Sequence, residues 1–100
     1  MFITVGRFHF RPMDPAERQQ LLQRIGEDVP KLARETPGFQ SLHVVRPGDD
    51  EVLMVWRWER EADWQAAQPR FGPALQEYVV PNLAGPPERF GGEVVLDVTR

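Results

Sequence analysis

Two histidines and one tyrosine are the residues of this 100-residue chain best suited to acid–base chemistry. Histidine is the side chain that most readily exchanges a proton near neutral pH, so either His9 or His43 could transfer a proton in a reaction. Tyr78 could donate a hydrogen bond to a phenolic or quinone-like ligand. Each residue also has a structural interpretation: the histidines as exposed or structural strand residues, and the tyrosine as a core residue whose hydroxyl reaches water.

The composition argues against several other kinds of site. The chain has no cysteine, and therefore no thiolate nucleophile, disulfide framework or cysteine-based metal site. The two histidines and the scattered carboxylates lack the spacing of metal ligands, and no glycine-rich phosphate loop is present. We therefore expect no metal or nucleotide cofactor. A net charge of −3 argues against nucleic acid as a partner.

No stretch of the chain has the character of a membrane span or a secretion signal. No apolar run approaches the roughly 20 residues that cross a bilayer. Residues 1–12 contain Arg7 and His9, where a signal peptide would need an apolar core. We expect a cytoplasmic protein with one domain over residues 1–100 and no membrane contact.

Strands and helices must position the candidate residues. Alternating β-branched and aromatic residues predict strands over 2–10, 39–46, 51–59 and 90–99, and a turn at 47–50 makes the second and third an antiparallel hairpin. Regular alternation places Phe39, Ser41, His43 and Val45 on one face of the second strand.

Two helical regions separate the strands. A cap at Asp14 and an apolar stripe predict a helix to about residue 35, with a kink or break near 27–29 caused by Pro30. A short helix is predicted to stop before Pro69, and a second helical piece to run over 71–80.

The third predicted strand is apolar on both faces. A strand buried on one side only alternates apolar with polar residues, so this pattern indicates that each face of the sheet is covered. One face carries Val52, Met54, Trp56 and Trp58, and the other carries Leu53, Val55, Arg57 and Glu59.

The order of the elements predicts a ferredoxin-like split βαβ sandwich of the α+β class, with a four-stranded antiparallel sheet. Both helical regions then lie on one face of the sheet and leave the other bare. Because the first, third and last strands are apolar on both sides, a second copy of the sheet is the simplest cover. We therefore predict a two-fold homodimer through the bare sheet face.

Three short motifs follow one another along the chain: PGF at 37–39, LMVWRWE at 53–59 and PRF at 69–71. Together with Trp64, six residues after Trp58, this order resembles the dimeric α+β barrel proteins of the antibiotic biosynthesis monooxygenase-like group. The resemblance spans nearly the whole chain. The group includes cofactorless quinone-forming monooxygenases, haem-degrading enzymes, isomerase-like members and proteins without an assigned activity, so the resemblance implies the fold more narrowly than the reaction.

The resemblance also implies a pocket between the sheet and the helices. Trp58 matches the family tryptophan that lines this cavity in active members, although a core tryptophan that closes the barrel is the alternative. Trp56 stands where the family usually has a polar residue, which makes the pocket more apolar or buries a dimer contact. In an enzyme of this kind the pocket would be shaped by Trp58, Trp56, Met54, Phe71 and Tyr78, with His43 as the base.

Haem degradation needs two residues that this chain lacks. In the members that degrade haem, the last helix supplies an iron-ligating histidine and the first strand an asparagine. The matching positions are close to Leu75 and Gly6, so the resemblance does not imply that mechanism. A glycine in the interior of a strand, such as Gly6, also indicates a bulge or a close approach to the backbone.

Three functions remain open. The first is a cofactor-independent monooxygenase, or a related enzyme, that acts on an aromatic or polycyclic small molecule. Its substrate, deprotonated to a carbanion, would itself reduce O₂, so the protein needs an apolar pocket and a proton acceptor. The second is a non-catalytic dimer that binds a small ligand, haem-like ligands included. The third is a structural homodimer whose tryptophans are all core.

Overall fold

Four strands and two helices account for most of the chain, and the structure, a computed structural model, describes all 100 residues. In chain order the elements are β1 (Phe2–His9), α1 (Pro15–Arg34), β2 (Phe39–Gly48), β3 (Glu51–Trp58), α2 (Glu61–Tyr78), a short 3-10 helix (Val80–Asn82) and β4 (Glu88–Glu93). The strands form one antiparallel sheet in the order β2-β3-β1-β4. This confirms the predicted α+β, ferredoxin-like fold. Neither helix combines the length and apolar character of a transmembrane segment.

The central strands β1 and β3 give the sheet its two faces. They pair from Phe2 opposite Trp58 to His9 opposite Glu51. We call the side that α1 and α2 cover the helix face, and the opposite side the open face. On the helix face the buried strand residues are Phe2, Thr4, Phe8, Val52, Met54 and Trp58. On the open face the half-buried strand residues include Ile3, Val5, Leu53 and Val55.

Helix α1 begins at a side-chain cap. The Glu17 backbone N–H donates to Asp14 Oδ1 at 2.9 Å, and this hydrogen bond holds the pKa of Asp14 below its ordinary value. Along the helix one stripe is buried against the sheet: Leu21, Ile25, Val29 and Ala33. Leu21, Ile25 and Val29 belong to the apolar stripe that the sequence predicts, whereas its other two members, Leu22 and Leu32, are half-buried.

The predicted stop before Pro69 is wrong, and so is a break at Pro30. Helix α1 passes through Pro30 without a break, and α2 is a single helix that contains Pro69 and Pro73. A proline removes one helical hydrogen bond, whereas the buried residues on either side keep the helix packed on the sheet. Around Pro30 these residues are Val29 and Ala33, and around Pro69 they are Ala67 and Phe71.

Strand β4 is shorter than predicted, because it ends at Glu93 and not near residue 99. Its only partner is β1, whose first residue, Phe2, pairs with Glu93. One more hydrogen bond follows, from the Val94 N–H to the Met1 carbonyl at 2.9 Å. Beyond it the chain has no strand to pair with. The apolar side chains of Val95 and Val98 are left 95% and 80% exposed.

The PGF motif turns the chain between α1 and β2. Gly38 has a φ of +80°, in the left-handed region that favours glycine. A Cβ there would also collide with the side chain of Asp63. That side chain accepts a hydrogen bond from the Arg60 N–H at 3.1 Å and so caps α2. The motif therefore places the start of α2 directly on the turn that begins β2.

Candidate functional site

A cavity of about 110 Å³ lies between the helix face and α2 and is partly open to solvent. Its floor is formed by residues of β1 and β3, and α2 forms the opposite wall with Trp64, Ala67 and Phe71. The exposed lining residues, Gln68, Arg89 and Phe90, mark its mouth. Most of the lining is apolar, which is the usual character of a small-molecule site.

Aromatic rings form the inner wall. The rings of Trp56 and Trp58 are stacked, with centroids 5.5 Å apart and planes 15° from parallel. The ring centroids of Phe71 and Trp56 lie 4.9 Å apart in an edge-to-face arrangement. The ring centroid of Phe39 lies 6.0 Å from that of Trp56 and 6.2 Å from that of Trp58, also edge-to-face. This wall offers flat apolar surfaces of the kind on which another aromatic ring packs.

The one polar atom of Trp58 has a partner inside the protein. Its indole Nε1–H donates to Thr4 Oγ1 at 3.1 Å, across the β1–β3 pair. The Thr4 side chain is buried, lines the cavity, and has no acceptor for its own hydroxyl hydrogen. Thr4 can therefore donate a hydrogen bond to an oxygen of a molecule in the cavity.

The structure brings together four of the residues singled out in the sequence. Trp58, Trp56, Met54 and Phe71 all line the cavity. Of the two alternatives for Trp56, a more apolar pocket or a dimer contact, its position agrees with the first. Its side chain lies on the helix face, stacked on Trp58, and not on the open face.

Tyr78 does not line the cavity. It is buried in the core, the guanidinium of Arg24 lies 4.3 Å from the centre of its ring, and its hydroxyl has no hydrogen-bond partner. Burial raises the pKa of Tyr78 above its ordinary value. The geometry of this residue is that of a core tyrosine.

His43 also lies away from the cavity. The register of β2 shifts between Phe39 and Ser41, so that Phe39 pairs with Trp58 on the helix face while His43 pairs with Val55 on the open face. Regular alternation, which puts Phe39 and His43 on one face, is therefore wrong at this irregularity. His43 is exposed. His9 lies on the open face too, with Nε2 4.0 Å from the Glu51 carboxylate.

Three polar residues of the lining are not among the site residues predicted from the sequence: Thr4, Gln68 and Arg89. Thr4 shares a strand face with Phe2 and Phe8, and that alternation could have identified it. Arg89 precedes the strand that the sequence predicts, so nothing local indicated its direction. No three side chains of histidine, cysteine, aspartate or glutamate lie close enough to hold a metal ion.

Gly6 and Leu75 both line the cavity. Gly6 pairs regularly with Met54 and Arg89, so it marks no bulge, and the Phe8 ring lies 3.0 Å from where its Cβ would stand. The close approach to the backbone is therefore made by an aromatic ring of the same strand. No histidine and no carboxylate lines the cavity.

Solved structures share this fold. A monooxygenase from the gene ActVA-Orf6 of Streptomyces coelicolor, in complex with nanaomycin D, is 24% identical with a TM-score of 0.78, over 99% of this chain and 91% of that one. SnoaB of Streptomyces nogalater, a cofactor-independent oxygenase, is 18% identical with a TM-score of 0.73, over 99% and 97%. A MhuD variant with two manganese protoporphyrin IX molecules bound per active site is 24% identical with a TM-score of 0.74, over 100% of both chains. At these identities the similarity establishes the fold.

The family comparison agrees with the motifs. No curated protein matches the chain. The model of the antibiotic biosynthesis monooxygenase family matches residues 1–72, from β1 into α2, a range that includes Thr4, Trp56, Trp58 and Phe71. The chain therefore belongs to the antibiotic biosynthesis monooxygenase family.

Proposed function

We propose that this protein is a cofactor-independent monooxygenase that oxidises a flat aromatic or polycyclic small molecule held in the cavity. The observation that carries the proposal is the cavity itself, in a chain of this family: stacked Trp56 and Trp58 form an apolar wall beside the buried hydroxyl of Thr4. Trp58, Trp56, Met54 and Phe71 would hold the ring system by packing, and Thr4 would orient it through one oxygen.

In such a reaction the substrate is its own reductant. An anthrone, for example, loses a proton to give a carbanion that is delocalised as an enolate. The anion passes electrons to O₂, a carbon–oxygen bond forms, and loss of water from the resulting peroxide leaves a carbonyl. Anthrone and O₂ thus give anthraquinone and water. The protein has to bind the ring, favour its anion and keep bulk water from the reacting carbon.

The lining restricts the substrates that suit this reaction. No histidine, carboxylate or tyrosine lines the cavity, and His43, the base suggested by the sequence, lies on the open face. The assignment of His43 as base stays a prediction without geometric support in this chain. Substrates that lose a proton from an O–H group at the mouth, such as hydroquinones and the enol form of an anthrone, therefore fit best, because the reacting carbon then stays away from bulk water.

The cavity volume supports a partly enclosed ligand. About 110 Å³ is of the same order as the roughly 150 Å³ in which an engineered protein cavity binds benzene. One ring of a polycyclic substrate would be enclosed, and the rest would extend through the mouth. A porphyrin is far larger, so this volume gives no specific support to haem binding.

We propose in addition that the protein forms a homodimer through the open face. Leu53 and Val55 on β3, and Ile3 and Val5 on β1, are only half-buried in the single chain. The edge strand adds Phe90, which pairs with Val5, is 62% exposed and also borders the cavity. A contiguous apolar sheet face of this kind matches a second copy of itself about a two-fold axis.

Oxygen consumption tests the catalytic proposal. Purified protein is mixed with a dihydroxyanthrone and with a naphthohydroquinone in an oxygen-electrode cell, and the rate is compared with spontaneous oxidation. We expect a rate proportional to protein concentration with at least one of these substrates, and quinone formation that matches the oxygen consumed. Rates equal to spontaneous oxidation across the panel would contradict the proposal. The His43→Ala variant, measured in parallel, tests the assigned base.

Two glycine variants link the activity to the cavity. Gly72 lines the cavity on α2, and a Cβ there meets no atom within 4 Å, so Gly72→Leu fills the space without a collision. Gly26 on α1 is exposed and equally unobstructed, and it lies outside the cavity, so Gly26→Leu is the matched control. We expect Gly72→Leu to lose about tenfold or more in rate because it removes binding volume. Gly26→Leu should keep the wild-type rate.

Tryptophan fluorescence separates catalysis from binding alone. Because Trp56, Trp58 and Trp64 all line the cavity, an aromatic ligand should quench their emission. Quenching without oxygen consumption would favour a non-catalytic binding protein. An emission spectrum that no aromatic ligand changes would favour the structural alternative.

A further inference from the structure

Arg89 is the only charged residue that lines the cavity. It lies on β4 at the edge of the sheet, where it pairs with Gly6 of β1. Apart from Thr4 and Gln68, the other lining residues are apolar or glycine. The guanidinium of Arg89 therefore sets the charge at the mouth.

The Arg89 guanidinium has no partner within the protein, neither a hydrogen bond nor an ion pair. Most of the other arginines already have a partner within the protein. Six of them pair with carboxylates of the same chain: Arg7, Arg11, Arg18, Arg24, Arg57 and Arg60. An uncommitted guanidinium beside an apolar cavity is free to bind a group that the protein does not itself supply.

The two glutamates of β4 do not neutralise Arg89. Alternation along the strand directs Glu88 to the open face, opposite to Arg89. The Glu93 carboxylate instead lies 3.7 Å from the amino group of Met1. The mouth thus carries one cation and no anion, although the chain as a whole has a net charge of −3.

Glycine leaves room around this side chain. The residue opposite Arg89 is Gly6, and the next residue of β4 on the helix face is Gly91. A Cβ on Gly91 would stand only 3.2 Å from the Phe2 ring, so β4 lies close against the helix face there. β4 therefore presents two large side chains to the cavity, Arg89 and Phe90, and Arg89 is the one that carries a charge.

We infer that Arg89 binds an anionic oxygen of the ligand and restricts it to aromatic anions, such as an aromatic carboxylate or a phenolate. The inference rests on the proposed function, because it concerns the molecule that occupies the same cavity. A cavity of about 110 Å³ encloses the apolar ring and leaves a polar substituent at the mouth. A guanidinium there can bind two oxygens of a carboxylate side by side.

The same contact favours the proposed reaction. The lining has no base, so the substrate anion must be stabilised by other means. A phenolate or enolate oxygen beside Arg89 would gain a charge-assisted hydrogen bond that the neutral substrate lacks. Arg89 would thus increase the fraction of bound substrate that is ionised.

Two dyes with the same ring system test the inference. Anilinonaphthalene sulfonate and phenylnaphthylamine differ in the sulfonate, and both become fluorescent in apolar sites. We expect wild type to bind the sulfonate about tenfold more tightly than the neutral dye. Arg89→Gln should weaken sulfonate binding by about tenfold and change binding of the neutral dye by less than about twofold. Arg89→Lys should restore part of the loss, because it keeps the charge without the two-pronged geometry.

Two controls make the outcomes distinct. Arg46→Gln removes the same charge from an exposed arginine outside the cavity and should leave both affinities unchanged. Gly72→Leu should weaken both dyes, which shows that they occupy the cavity. Equal affinity of wild type for the two dyes, or an equal effect of Arg89→Gln on both, would overturn the role of Arg89 and leave the aromatic-binding function standing. Failure of both dyes to bind would overturn both proposals.

Discussion

The helix face and the open face are built from alternate residues of the same central strands, yet they end in different environments. On the helix face of β3, Val52, Met54 and Trp58 are each 2% exposed. On the open face of the same strand, Leu53 and Val55 remain half-buried. Two helices complete the core on one side only. The second apolar face is therefore available for contacts that a single chain cannot provide.

The two faces also differ in the kind of residue they carry. Large rings on the helix face span the gap between the sheet and the helices, and between them they leave the cavity. The open face carries smaller aliphatic side chains with ion pairs towards its ends, Arg7 with Glu51 and Arg57 with Asp97. Rings that do not pack completely create a binding site, whereas a shallow aliphatic surface suits another sheet.

The largest expected effect is the loss of the helix-face core in Trp58→Ala. The variant removes a ring that stacks on Trp56 and donates to Thr4, and we expect the free energy of unfolding to fall by about 3–5 kcal/mol. Urea denaturation at a fixed chain concentration measures it. Val55→Ala on the open face is the comparison and should cost much less. A loss below about 1 kcal/mol in Trp58→Ala would show that the ring is not part of the core.

A charge on the open face should separate assembly from folding. Leu53→Glu places a carboxylate in the middle of the proposed interface, and we expect the dimer dissociation constant to rise at least about 30-fold. The far-ultraviolet circular dichroism should stay unchanged, because the helix face is intact. Sedimentation equilibrium measures the association.

Gln20→Glu adds the same charge to an exposed position of α1 and is the matched control. It should assemble as wild type does. A monomeric mass for wild type at micromolar concentration would contradict the dimer, as would a Leu53→Glu variant that associates normally.

The faces of the central strands could be predicted from sequence because alternation is regular there. Phe2, Thr4 and Phe8 are buried on β1, and Met54 and Trp58 on β3, as a period of two requires. The floor of the cavity, which β1 and β3 form, follows from the same parity. The position of His43 could not be predicted in this way, because an irregularity in β2 between Phe39 and Ser41 reverses the parity of the residues from Ser41 to Val45.

The ends and interruptions of elements depend on contacts that are distant in sequence. Pro30 lies in α1 without a break, and the buried residues around it pack against strands that come earlier and later in the chain. Strand β4 ends at Glu93, where its partner β1 begins. Neither the continuous helix at Pro30 nor the end of β4 can be predicted from local propensity. Arg89 was missed for the same reason, since its direction depends on the pairing of β4 with Gly6.

A smaller effect on the helix face is expected from Thr4→Val. The variant keeps the shape of the side chain and removes the acceptor for Trp58 Nε1–H, so a buried donor loses its partner. We expect the free energy of unfolding to fall by about 1–3 kcal/mol. A double-mutant cycle with Trp58→Phe tests the reason, because the effect of Thr4→Val should largely disappear when the indole N–H is absent. Equal costs in both backgrounds would attribute the loss to packing alone.

The smallest effect on stability is expected from Asp14→Ala, at the residue that caps the start of α1. The hydrogen bond from the Glu17 N–H lowers the pKa of Asp14 in the folded protein, so the ionised cap stabilises the fold at pH values above the ordinary pKa of aspartate, about 3.9. That stabilisation is lost as the pH falls through the lowered pKa. We therefore expect Asp14→Ala to unfold more easily than wild type at neutral pH, and the difference to shrink in acid.

Denaturant titrations of wild type, Asp14→Ala and Asp14→Asn from neutral pH down to pH values below the ordinary aspartate pKa measure this dependence. Asparagine can also accept the Glu17 hydrogen bond but does not titrate, so Asp14→Asn should keep most of the capping free energy and lose the part that varies with pH. Because the three proteins share every other carboxylate, their differences report position 14 alone. A gap between wild type and Asp14→Ala that stays constant with pH would contradict the role of the ionised cap in holding α1 against the helix face.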